Sequence, residues 1–163
     1  MRAHESVFRA GLAAGSVAGV LSGVPSTLHA VVTRRDPLAA SVAAGNLLLP
    51  ADSGTGALLA AGALAHGAIS LGWGVALAAA VRRTSLPPIA AGALGGAAIA
   101  AFDLGLIAHG PIGRRWPLIR ALPVWPQVAD HVAFGAIAGA ILGGSRRPYP
   151  GDTLCPPGLS RRV

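Results

Sequence analysis

Four apolar runs divide the chain, at about 7–32, 57–81, 89–108 and 128–144, and arginine pairs or prolines punctuate the gaps between them. About 20 residues, rising 1.5 Å each, cross the hydrocarbon core of a bilayer. Each run therefore predicts a transmembrane helix, the fourth being the shortest. Strands are excluded there, because an open strand edge cannot be satisfied in lipid. The expected fold is all-α: four membrane-spanning helices in one domain, residues 1–144, followed by a Pro/Arg-rich tail, 145–163, expected to be disordered. Pro25 predicts a kink in the first helix. That run exceeds the apolar region of a signal peptide and no small-x-small cleavage site follows it, so it reads as a retained span.

The connections carry their own pattern. In Arg34-Arg-Asp-Pro-Leu38, Asp36 and Pro37 read as a helix start, with a capping side chain and proline at the first helical position. The apolar piece 38–49 is too short to span and predicts an interfacial or re-entrant helix. Between the third and fourth runs, Pro111, Pro117, Pro123 and Pro126 forbid a long helix, while Trp116 and Trp125 suit the headgroup layer.

Within the runs, glycine recurs every fourth residue: Gly11, Gly15, Gly19 and Gly23 in the first, and Gly135, Gly139 and Gly143 in the fourth. Gly92 and Gly96 start the same pattern in the third. In water such glycines cost about 1 kcal/mol each relative to alanine. In lipid, helices gain little from burying apolar surface on one another, and small residues in register let two backbones approach. The pattern reads as a glycine zipper. It serves either packing within the bundle or self-association into a homo-oligomer.

Composition agrees with the pattern: 53% of the 163 residues are hydrophobic and 12% charged, with a mean hydropathy of +0.60. Soluble domains carry about a quarter charged residues. The net charge is +7, and all 13 basic residues are arginines. They stand mostly as pairs beside apolar runs, which is what membrane topology requires and not what a nucleic-acid face would look like. With both termini cytoplasmic, eight arginines (2, 9, 82, 83, 146, 147, 161, 162) lie inside and five (34, 35, 114, 115, 120) outside. The expected location is the cytoplasmic, or inner, membrane, with the lipid bilayer and another membrane protein or a second copy as partners, and no nucleic acid. Cys155 is the single cysteine, which leaves no intrachain disulfide and no cysteine-based metal site.

The ionisable residues in or at the ends of the spans are His29, His66, Asp103, His109, Asp130 and His131. Because successive spans alternate in direction, all six fall in the half of the bilayer opposite the termini. Asp103 shares a helix face with Gly96 and Gly92, and His131 heads the ridge of Gly135, Gly139 and Gly143. His66, Ser70 and Trp73 share a face of the second span. Such groups are costly in lipid and tend to be paired or functional. Four roles stay open: a hydrogen-bonded network that fixes helix register, proton or small-ion handling, a divalent-metal site, or haem held by two histidines. No hydrolase, metalloprotease or phosphate-loop motif is present. Ser70 with His66 four residues earlier has nucleophile–base spacing but no identifiable oxyanion donor. No cofactor is evident. The leading reading is a small membrane protein that handles protons or small ions, or a packing subunit of a membrane assembly. Its rival is an intramembrane metal- or haem-binding protein or enzyme.

The stretches Arg34-Arg-Asp-Pro-Leu-Ala-Ala40, His66-Gly-Ala-Ile-Ser70 and Ala129-Asp-His-Val-Ala-Phe-Gly-Ala-Ile-Ala-Gly139 resemble small bacterial inner-membrane proteins of the YagU type. The resemblance implies a four-helix inner-membrane protein and supplies no catalytic residue.

Overall fold

The computed structural model describes residues 2–144, with side chains from residue 6 onward. The tail expected to be disordered, Cys155, and the arginines at 146, 147, 161 and 162 lie outside the described residues. Within them the chain is all-helical and contains no strand. Helices α1 (Arg2–Leu21) and α2 (Val24–Val32) precede a short α3 (Ala39–Gly45) and the long α4 (Thr55–Val81). Helix α5 (Pro88–Ala100) runs on into a π-helical segment, Ala101–Ala108. A 3₁₀ turn (Pro111–Arg115) and α6 (Pro117–Arg120) lead to α7 (Val124–Gly144). Three stretches are long and apolar enough to cross a membrane: Ser6–Val32, Thr55–Val81 and Pro88–Ala108.

The glycines explain which helices meet. Helix α1 packs chiefly on α4, and α5 on α7. A side-chain carbon on Gly11 would strike the backbone of Val75, and one on Gly15 would strike the carbonyl of Ser70. Gly74 of α4 faces Gly11 and Gly15 in return. In the other pair Gly92 meets Gly135 and Gly139, while Gly96 meets His131 and Val132. Numbers rise on one helix as they fall on the other, so both pairs are antiparallel. The ridge is shorter than its sequence spacing suggests, because Gly23 has open space around it and Gly143 touches only the side chain of Pro88. Gly74, which has no partner at four-residue spacing, is part of the first contact. Between the pairs lies a core of small residues, among them Ala14, Ala18, Ala78 and Ala138, filled out by Leu77, Ile99, Phe134 and Leu142.

The first run is broken rather than kinked at its proline. Ser22 and Gly23 form a turn, and Pro25 takes the second position of α2. A proline has no N–H to give the carbonyl four residues before it, so the helix ends at Leu21 and restarts where proline is welcome. Helix α2 closes with a C-terminal motif in which the Arg35 N–H reaches the Ala30 carbonyl (2.7 Å) and the Arg34 N–H reaches that of Val31 (3.2 Å). Arg34 carries the left-handed backbone this motif needs, at φ 56°, a position where glycine is the usual occupant. Arg34→Gly is accordingly expected to raise stability by about 0.5–1 kcal/mol, seen as a higher thermal midpoint.

Two smaller expectations change. Pro37 opens a turn and not a helix: the Asp36 carboxylate accepts the Leu38 N–H (2.9 Å), and α3 begins at Ala39. Helix α3 then runs antiparallel against the first half of α4, with Gly45 on Leu58 and Gly62 on Ser41. Its following turn is tied to α6 by Asn46, whose Oδ1 accepts the Leu118 N–H at 3.4 Å. Helix α7 also starts earlier than residue 128, at Val124, with Pro126 held in its first turn.

Candidate functional site

The break in the first run creates a demand for polar partners. The last turn of α1 and the first turn of α2 each leave backbone groups without intrahelical partners. Two of the residues singled out in the sequence supply them from neighbouring helices. The imidazole Nε2 of His66, on α4, hydrogen-bonds the carbonyl of Gly19 at 2.9 Å. The carboxylate of Asp130, on α7, accepts the Ser26 N–H at 2.9 Å. A carboxylate at a helix N-terminus is favoured by the macrodipole as well. Helix α2 has no cap of its own, so Asp130 caps it from across the bundle.

This geometry makes a graded prediction. Asp130→Ala should cost about 1–2 kcal/mol, the usual loss of an N-cap with its charge. Asp130→Asn, which keeps an acceptor oxygen, should cost about half as much. Unfolding of the detergent-solubilised variants measures both.

Asp103 and His131 meet instead of capping anything. Asp103 lies early in the π-helical segment, whose wide winding is marked by the bond from the His109 N–H to the Leu104 carbonyl, 2.9 Å. The sequence reason stands just beyond it, since Pro111 cannot donate to the carbonyls one turn back and Gly105 weakens the α-helix from within. Such π segments are frequent at functional sites. The Asp103 Oδ2 accepts a hydrogen bond from Trp73 Nε1–H at 3.1 Å and lies 3.5 Å from His131 Nε2. The other ring nitrogen, Nδ1, is 2.7 Å from the Gln127 carbonyl. Phe102 meets the Trp73 ring edge-to-face at 5.9 Å, which holds the indole in place.

The chemistry follows from donors and acceptors. A carbonyl only accepts, so His131 Nδ1 carries a hydrogen in this arrangement. Asp103 Oδ2 already accepts from Trp73. If Nε2 and Oδ2 were both bare, two lone pairs would face each other. One proton between them removes the conflict, either on Nε2, giving an imidazolium–carboxylate pair, or on Oδ2, giving a neutral pair. The pair is neutral in both forms, and its loss of that proton leaves one negative charge. The side chains are 24% and 27% exposed for His131 and Asp103, so they are reachable and not sealed in the core.

These groups border one cavity of about 970 Å³, whose walls include His66, Ser70, Asp103, Asp130 and His131. Ser70 is 5% exposed and packs against Gly19. The other two of the six ionisable residues lie elsewhere. His29 borders a second cavity of about 350 Å³ beside Arg35 and Asp36, and His109 is exposed beyond the π segment. The six ionisable residues thus separate into two cross-bundle caps, one proton-bearing pair and two outliers. Trp73 Nε1–H and the Gln127 carbonyl are the partners that sequence reasoning missed, although Trp73 lies seven residues from His66, on its helix face.

No three His, Cys, Asp or Glu side chains among the described residues converge as a metal site would require. Haem ligation by facing histidines would take the Nε2 atoms already turned to Gly19 and Asp103. Comparison of the chain with known protein families, curated proteins and solved structures finds no match, and the functional reading rests on the geometry of this site.

Proposed function

We propose that this protein is a four-span membrane protein that binds and passes protons through the Asp103–His131 pair. Four spans are supported by the length of α7, 21 residues or about 30 Å, and by its packing along α5 from Pro88 to Gly96. Its lower hydropathy comes from Gln127, Asp130 and His131, which face the cavity. A lipid environment is supported by the exposed apolar surface, including Val20 at 82%, Val32 at 73% and Leu64 at 67%. In this reading the α1–α4 and α5–α7 contacts are glycine-zipper seams inside one chain. The arginine asymmetry of eight against five supports a reading with both termini cytoplasmic and the protein in the inner membrane.

The observation that carries the function is the Asp103–His131 contact at 3.5 Å, with His131 Nδ1 committed to a backbone carbonyl. A purely structural contact would need no titratable proton at the wall of an open cavity. Purified protein in liposomes with a trapped pH-sensitive dye tests the reading. Under an imposed pH gradient with the membrane potential clamped, wild-type vesicles should equilibrate faster than empty ones, and Asp103→Asn vesicles should not. Wild-type vesicles no faster than empty ones would overturn it, as would an unimpaired Asp103→Asn.

A further inference from the structure

The geometry points to a lipophilic organic cation, such as a phosphonium or quaternary ammonium carrying apolar groups, as the ligand of the large cavity. This inference rests on the membrane placement and on the single-proton Asp103–His131 pair proposed above. Three features of the cavity carry it, and they are charge, surface and access.

Charge comes first. Asp103 and Asp130 are on the wall, and among the described residues no arginine is. The Asp103–His131 pair with its one proton is neutral, which leaves the Asp130 carboxylate as the uncompensated charge when His66 is neutral. The cavity therefore carries negative charge in a setting where screening is weak. It complements a cation and repels an anion of the same shape.

The surface fits a body that is apolar around that charge. Trp73, Trp116 and Phe134 line the cavity, and aromatic faces attract cations, most of all when water is absent. A volume of about 970 Å³ is at the upper end of the sites that enclose drug-sized molecules. A metal ion or a small hydrated cation would leave most of it empty.

Access points the same way. Val20, Val24, Ile69 and Leu71 belong to the wall and are exposed, so they mark its mouth. In the proposed placement that mouth opens between helices toward lipid. A ligand arriving there must already partition into the bilayer, which excludes strongly hydrophilic cations.

The structure also provides a plug. Gly67 lines the cavity and has open space where a side chain would begin. Gly67→Phe therefore fills the site without pressing on backbone. Gly72, on the same helix, is equally free of neighbours but is not part of the wall, and Gly72→Phe is its matched control.

The full chain in nanodiscs is titrated with tetraphenylphosphonium, and with tetraphenylborate as an anion of the same shape, following tryptophan fluorescence and equilibrium dialysis. Saturable binding of the phosphonium is expected, with the borate at least about tenfold weaker. Gly67→Phe and Asp130→Asn should each weaken phosphonium binding by about tenfold or more, with Gly72→Phe equal to wild type. Equal affinity for the two ions would overturn the inference, as would binding in Gly67→Phe at the wild-type level. No saturable binding of either ion would overturn it too. Proton flux measured without any organic cation separates failure of this inference from failure of the proton reading, because that flux needs only the Asp103–His131 pair.

Discussion

Gly135→Ala is expected to destabilise the bundle by about 3 kcal/mol or more, at the upper end of overpacking costs, while Gly72→Ala leaves it unchanged or slightly more stable. Both glycines sit inside long helices, so helix propensity favours alanine at each. They differ in what the added methyl group meets. At Gly135 it falls on the Gly92 carbonyl oxygen and the Gly96 nitrogen, closer than the 3.0 Å that real side-chain carbons respect. Those atoms belong to helix backbone and cannot rotate away. Helix α7 must then move off α5, and Phe134, Ala138 and Leu142 leave the shared core with it. At Gly72 nothing lies within 4 Å. Gly15→Leu repeats the test at the other seam, where the Ser70 carbonyl stands in the way. Denaturation in mixed micelles measures all three variants. A Gly135→Ala protein as stable as wild type would mean that the two backbones are not in contact.

Asp103→Asn is expected to abolish proton passage, by about tenfold at the least, while changing stability by no more than about 1 kcal/mol. The atom that replaces Oδ2 serves one partner and not both: as an amide oxygen it still accepts from Trp73 Nε1–H, and as an amide N–H it donates to a bare His131 Nε2. One of the two contacts survives, and the titratable carboxyl is gone. Asp103→Leu differs in the other direction, because it strands the indole N–H and costs about 1–3 kcal/mol as well. A structural network would show the opposite ordering, with Asn tolerated in every measurement. Flux in liposomes and thermal stability, measured on the same preparations, separate the two accounts.

Much of this architecture is legible in the order of residues. The apolar runs and their prolines locate the long helices to within a few positions. Alternating helix direction and the phase of Gly92, Gly96 and Gly135 are enough to bring Asp103 toward His131, since the glycines that touch and the side chains that meet lie on the same faces. What is not legible has identifiable causes. Helix pairing depends on Gly74, a single glycine outside any repeat. The roles of His66 and Asp130 depend on backbone groups freed by the break at Ser22 and Gly23, and no pattern of side chains announces an unpaired N–H. His29 follows α2 beyond that break to a different cavity. The π winding around Asp103 comes from missing hydrogen bonds near Pro111, an effect of tertiary fit as much as of composition.

The central claim is that one proton is held between His131 Nε2 and Asp103 Oδ2, with Nδ1 protonated throughout. Nitrogen-15 NMR of the ring-labelled protein in lipid bilayers reads each imidazole nitrogen separately. His131 Nδ1 is expected to stay protonated from about pH 4 to pH 10, a range that brackets ordinary histidine titration, while Nε2 changes state once, and Asp103→Asn is expected to displace that step. A bare Nδ1, or an Nε2 that behaves identically in wild type and Asp103→Asn, would contradict the account.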